Sequence, residues 1–143
     1  MIILACGDRN WKDYKKIRKA IREVQKKWVV SYLIEGGQQK SVVYGSMIIG
    51  ADHLANKAAK ELGIQTVKCE ANWERHKKAA GPIRNQMQLN LALKLAAKDE
   101  HQAMATLDNI LVLAFHSDLK NSKGTKDMVK RAKKAGVKVK VIK

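Results

Sequence analysis

The sequence predicts an α/β fold: a parallel sheet of roughly five strands, covered by helices on both faces in a three-layer domain spanning residues 1–143. Short apolar runs alternate with amphipathic segments along the chain, the pattern of strand–helix–strand units. The best of those runs are continuously apolar, as strands buried on both faces are. Glycines stand where runs end.

Residues 2–6, Ile-Ile-Leu-Ala-Cys, form the first run and stop at Gly7. Between residues 13 and 28, Tyr14, Ile17, Ile21, Val24 and Trp28 recur at three- and four-residue steps with Lys and Arg between them, which predicts a helix with a basic outer face. Residues 29–34 read as a second buried strand, stopped by Gly36 and Gly37. A helix over 51–62 packs through Leu54, Ala55, Ala58 and Leu62, with Gly63 at its C-cap. Residues 66–69 give a short third strand. The only proline, Pro82, follows Gly81 at the start of an apolar-rich segment running to about Thr106, as expected for the first helical position.

Residues 109–115 contain the strongest strand signal, Ile-Leu-Val-Leu-Ala-Phe. A Ser/Lys/Gly loop then enters a helix over 125–135, with Met128, Val129, Ala132 and Ala135 on its apolar stripe. The chain closes with Val137, Val139 and Val141 alternating with Lys138 and Lys140, a lysine-protected sheet edge. Doubly wound connections place the first and last helices on opposite faces.

Composition removes several classes. With 143 residues and 45% hydrophobic content, the chain suits one globular core. No stretch nears the roughly 18 uninterrupted apolar residues of a membrane span. The N-terminal residues lack the basic region and long apolar core of a signal peptide, so the expected location is the cytoplasm, with no membrane partner. Cys6 and Cys69 make no disulfide framework and, with four scattered His, no zinc-like spacing, so no metal or cofactor is expected.

The net charge is +16, but Lys supplies 23 of the 29 positive side chains, whereas planar recognition of phosphate or guanine favours Arg. Lysines on the first and last helices and the edge strand would surround the molecule with charge instead of forming one nucleic-acid stripe. They would draw anions in from a distance.

Ligands of an open parallel sheet bind beyond the carboxyl ends of its strands, near the reversal of strand order. The residues there are polar and glycine-rich: Gly7-Asp8-Arg9, Glu35-Gly36-Gly37, and 116–125 beginning with His116. Ser122-Lys123-Gly124-Thr125 enters the last helix, where backbone N–H groups, a hydroxyl and a lysine converge on an anion or where Ser and Thr serve only as caps. Arg84 and Asn85 begin another helix; an Arg opposes the dipole there and so serves a ligand or a carboxylate. Gly50-Ala51-Asp52 opens a third, with Asp52 either favouring the dipole or accepting from ribose hydroxyls.

Six ordered segments carry a family resemblance: Cys6-Gly7-Asp8-Arg9-Asn10-Trp11-Lys12-Asp13, Gly50-Ala51-Asp52-His53-Leu54-Ala55, Ala71-Asn72-Trp73-Glu74-Arg75-His76, Ala79-Ala80-Gly81-Pro82-Ile83-Arg84-Asn85, Leu113-Ala114-Phe115-His116, and Asn121-Ser122-Lys123-Gly124-Thr125-Lys126-Asp127-Met128. The chain resembles the YspA-type, YpsA-related branch of the SLOG superfamily, a Rossmann-like group that includes the Lonely Guy phosphoribohydrolases and DprA. The resemblance implies a nucleotide or nucleotide-derived ligand, such as an ADP-ribose-like molecule. It implies that Gly7 and Arg9 are the first-strand signature, Gly124 and Thr125 the phosphate loop, and Arg84 and Asn85 pocket residues. Trp11, within the first motif, joins the candidate set. Trp73 is a candidate base platform, with a core position as its alternative.

Three departures accompany the resemblance. Many members carry Ser at the position of Asp8, whose carboxylate suits a ribose hydroxyl or a cation better than a phosphate. Residues 38–49 intervene between Gly37 and Gly50, which the family joins almost directly. The glutamate that acts on the N-glycosidic bond in the phosphoribohydrolases falls on Met128, which cannot do acid/base work. Residues 91–107 also exceed the usual link, and their Leu/Ala content suggests an extended helix serving a homo-oligomer interface.

The expected function is therefore a sensor or sequestering protein for a nucleotide-like small molecule. An alternative is an N-glycoside hydrolase using Asp127 or Glu35 as the carboxylate and Arg84 as the electrostatic stabiliser. A further alternative is a basic nucleic-acid accessory protein, disfavoured by an aromatic content of 5%.

Overall fold

The computed structural model describes residues 1–38, 41–101 and 105–143. Its main sheet holds β1 (Ile2–Gly7), β2 (Tyr32–Glu35), β5 (Gln65–Lys68), β6 (Ile110–Phe115) and β7 (Lys138–Ile142), all parallel in the order β5-β2-β1-β6-β7. Helices α1 (Tyr14–Lys27) and α2 (Ala51–Glu61) cover one face, and α4 (Ala80–Lys98) and α5 (Gly124–Lys134) the other. The short α3 (Trp73–His76) precedes α4. The chain is a Rossmann-like three-layer α/β arrangement.

The two-residue period of β1 divides the core. Ile3 and Ala5 join Leu33, Leu113 and Phe115 beneath α1 and α2, whereas Ile2, Leu4 and Cys6 join Ile34, Val112 and Ala114 beneath α4 and α5. From β1 the chain first builds β2 and β5 outward, then returns to place β6 on the other side of β1. The order reverses between β1 and β6, so the crevice opens at Gly7 and His116.

Several boundaries differ from the sequence reading. Helix α1 starts after Asp13, whose carboxylate accepts from the Lys16 N–H at 3.0 Å. It ends at Lys27; Trp28 is extended and 42% exposed, and Val29 is 59% exposed, because both belong to the link toward β2. Pro82 is the third residue of α4 instead of the first, a position whose missing N–H still costs no intrahelical bond.

The long helix expected toward Thr106 stops at Lys98. Asp99 then accepts from the Ser31 hydroxyl at 2.7 Å, the Asn109 amide at 3.1 Å and the Met1 ammonium at 2.8 Å, which pins the chain beside the amino ends of the strands. The rest of the expected extension includes residues 102–104, outside the described residues.

Within residues 38–49, β3 (Val42–Tyr44) and β4 (Met47–Ile49) form an antiparallel hairpin separate from the main sheet. Lys12 Nζ stands 3.9 Å from the centre of the Tyr44 ring. At the opposite sheet edge, β7 projects Lys140 to Glu23 at 3.8 Å and Lys138 to Asp108 at 3.7 Å.

Candidate functional site

Beyond the carboxyl ends of β1, β2 and β6 lies a cleft of 460 Å³, within the usual range of small-molecule sites. It is lined by Gly7, Asp8, Arg9, Gly36, Asp52, Arg84, Asn85, His116, Ser122, Lys123, Gly124 and Thr125, all named from the sequence, together with Cys6 and Gln88, which were not. Strand ends supply the first residues, α2 supplies Asp52, α4 supplies Arg84 and Asn85, and the start of α5 supplies the last group.

The wall at Asp8 is built by backbone bonds. Asp8 N–H donates to Phe115 O at 2.9 Å, Ala51 N–H to Asp8 O at 2.9 Å, and Gly50 N–H to Trp11 O at 2.8 Å. Gly50 takes φ +115°, and a Cβ there would come within 2.8 Å of the Arg9 carbonyl. Only glycine turns the chain into α2 at this point. The Asp8 carboxylate accepts from the Asn10 N–H at 2.9 Å, closing the local turn.

Arg84 crosses the cleft floor. Its Nη1 donates to Gly36 O at 2.7 Å and its Nε to Asn85 Oδ1 at 3.1 Å. A Cβ on Gly36 would meet that guanidinium and stand 3.0 Å from Asp52 Oδ2. Asn85, only 3% exposed, donates onward to Gly124 O at 3.1 Å and Asp127 Oδ2 at 2.9 Å. One partly buried hydrogen-bonded path therefore joins the end of β2, α4 and α5.

Asp52 is the cleft's inner carboxyl. Burial, with the Glu35 carboxylate nearby, raises it from 3.8 to about 7 against the opposing pull of Arg84 and the Gly36 N–H. Cys6 beside it is buried, and burial pushes its thiol far above the ordinary value, so it is an inert packing group.

The entry to α5 combines capping with open donors. Ser122 Oγ accepts from Lys126 N–H at 3.0 Å and donates to Leu119 O at 2.9 Å, so this hydroxyl is occupied by the local fold. The Gly124 and Thr125 N–H groups have no acceptor among the described residues, and Lys123 stands at the N-cap without a side-chain cap bond. Gln88, 1% exposed, leaves Nε2 buried with no hydrogen-bond partner among the described residues. Such a donor is costly in an interior unless something accepts from it.

Four candidates lie elsewhere. Trp11 is a core residue, 8% exposed, with its ring 5.8 Å from Phe115 and its Nε1 donating to Asp13 O at 2.9 Å. Gly50 shapes the wall without lining the cleft. Gly37 faces a separate 270 Å³ cavity with Glu35, His53, Asn56, Lys60 and Lys68. Trp73 is 37% exposed and faces a 720 Å³ cavity on the outer side of α5's start, not the core.

The carboxylates proposed for hydrolysis are also outside the cleft. Glu35 is 1% exposed, accepts from Gly37 N–H at 2.7 Å and Asn56 Nδ2 at 3.3 Å, and is raised by burial. Asp127 accepts from Asn85 and, at 2.8 Å, from Arg131 Nε; although burial opposes it, those bonds hold its carboxyl below the ordinary value. Met128 is fully buried in the core.

Gln88 was legible in principle, since it stands four residues after Arg84 on one helix face. Lys78, Lys126 and Lys130 line the outer cavity, adding to the positive charge that Arg9, Arg84 and Lys123 bring to the cleft. No described residue of the hairpin lines the 460 Å³ cleft. Among the described residues there is no cluster of three or more His, Cys, Asp or Glu suited to a metal ion, and no helix is long and apolar enough to cross a membrane.

A five-stranded parallel sheet with helices on both faces and a cleft at its switch point defines a Rossmann-like α/β domain. Within that class, this chain belongs to the YspA, cpYpsA-related SLOG family, whose family model matches residues 1–76, more than half of its length. No curated protein and no solved structure matches the chain.

Proposed function

We propose that the protein binds a nucleotide or nucleotide-derived anion, of ADP-ribose-like chemistry, in the 460 Å³ cleft and acts as a sensor or sequestering protein. One observation carries this reading: the unpaired N–H groups of Gly124 and Thr125 share a single cleft with Arg9, Arg84, Lys123 and Asp52. Helix-terminal N–H groups suit phosphate oxygens, the cations add charge, and the Asp52 carboxyl suits sugar hydroxyls. Family membership supports a nucleotide-related role.

A second reading, hydrolysis of an N-glycosidic bond, draws support from Asp52 alone. It is the inner carboxyl of the cleft, and at about 7 it is tuned for proton transfer near neutrality. Glu35 and Asp127 do not favour that reading, because both are committed to structural bonds outside the cleft.

Calorimetric titration with AMP, ADP, ADP-ribose and ribose 5-phosphate, followed by chromatography of each mixture, separates the readings. Binding that is weakened in Arg84→Ala and leaves every probe intact supports the sensor. Free base that appears with wild type and is lost in Asp52→Asn transfers the function to hydrolysis. Absence of binding by every probe contradicts both.

A further inference from the structure

The outer 720 Å³ cavity adjoins the inner cleft, because Asn85, Ser122, Lys123 and Gly124 line both. The two lobes differ in chemistry. The inner one presents Asp52, Arg84, Arg9 and the unpartnered Gln88 amide, all suited to oxygen-rich groups. The outer one presents Trp73 with Gly81 and Pro82, rimmed by Lys78, Lys126 and Lys130.

Trp73 is placed by its sequence. Asn72 caps α3 by accepting from Arg75 N–H at 3.0 Å, which sets Trp73 as the first helical residue. The ring lies beside the start of α4, where a Cβ on Gly81 would stand at ordinary contact distance, 3.5 Å, from Trp73 Cη2. A large aromatic side chain left 37% exposed beside a cavity provides a stacking surface for a flat ring.

Between the lobes stand the open N–H groups of Gly124 and Thr125 and the Lys123 side chain. The whole therefore has an aromatic end, an anion-binding middle and a hydroxyl-binding end. From this we infer that the ligand is a nucleoside diphosphate carrying a second, hydroxyl-rich group. Its base stacks on Trp73, its diphosphate lies at the start of α5, and its distal group enters the Asp52–Arg84–Gln88 lobe, where an oxygen accepts from Gln88 Nε2. The inference rests on the nucleotide reading above and adds the ligand's extent and direction.

The test uses ADP-ribose, AMP and ribose 5-phosphate in calorimetric titrations of wild type, Trp73→Ala, Trp73→Phe and Gln88→Leu, each first checked for a cooperative thermal transition. Trp73→Ala should weaken ADP-ribose and AMP by about tenfold or more, the scale of one lost stacking contact. Trp73→Phe should recover most of that loss, whereas ribose 5-phosphate, which has no base, should shift less than about twofold in either variant. Gln88→Leu should weaken ADP-ribose by about tenfold and AMP far less, because AMP has no distal group. If Trp73→Ala leaves ADP-ribose unchanged while Gln88→Leu weakens AMP and ADP-ribose alike, the direction is wrong although the nucleotide reading stands. If wild type binds neither nucleotide, that reading itself falls, and this inference with it.

Discussion

The Arg84 guanidinium donates to the Gly36 carbonyl at 2.7 Å, fastening the beginning of α4 to the end of β2 across the cleft floor. The same side chain bonds Asn85 and opposes the raised value of Asp52. A helix-start arginine that looks misplaced against the dipole is therefore held by a carbonyl and an amide oxygen.

Replacing Arg84 should separate charge from geometry. Arg84→Lys retains the charge but lacks the planar fork that reaches Gly36 and Asn85 together. We expect both Arg84→Lys and Arg84→Ala to weaken ADP-ribose, by roughly tenfold and a hundredfold respectively, corresponding to about 1.4 and 3 kcal/mol. Calorimetric titration measures this; equal affinity for Arg84→Lys and wild type would show that the fork is dispensable.

Asp52 predicts a pH dependence of stability. Its carboxyl titrates at about 7 in the fold against an ordinary 3.8. Below the lower value both states hold the proton; between the two values the unfolded chain releases it while the folded chain retains it. The stabilising contribution is thus fully present in acid and is lost as pH rises toward 7. Asp52→Asn has no proton to release, so its melting temperature should match wild type near about pH 3 and exceed it by several degrees near about pH 8. A difference that does not vary with pH contradicts the assignment.

Gly50→Ala tests the backbone that shapes the wall. At φ +115° an L side chain is strained, and the added Cβ meets the Gln38 side chain and the Arg9 carbonyl. A loss of about 1–3 kcal/mol in denaturant unfolding is expected. An unchanged midpoint would mean that the turn relaxes freely.

Asp127→Asn distinguishes a structural link from a catalytic group. Asp127 joins Asn85 to Arg131. The substitution removes one charge-assisted bond, so stability should fall by about 1 kcal/mol in denaturant unfolding. If any probe is turned over by wild type, its rate should survive Asp127→Asn; loss of turnover with intact binding would return Asp127 to the chemistry.

Most of the fold was readable because continuous apolar runs such as 2–6 and 110–115 admit few structures other than buried parallel strands, and the glycines after them mark the crevice. Local pattern could not show where polar side chains spend their hydrogen bonds. Glu35 and Asp127 resemble free carboxylates in sequence, yet Gly37, Asn56, Asn85 and Arg131 occupy them. Trp11, a site candidate from its motif, packs on Phe115 in the core, whereas Trp73 stands half-exposed at the start of a four-residue helix. Gln88 shares a helix face with Arg84, four residues before it, and that spacing was its one signal among the Leu and Ala of α4.

Arg84 and the start of α5 converge on the place proposed for a phosphorylated nucleoside. The most direct measurement of that binding is the heat of titrating ADP-ribose into wild type and into Arg84→Ala. Wild type should show saturable one-to-one binding, weakened about a hundredfold in the variant. No saturable heat with wild type, or the same affinity in both proteins, would contradict it.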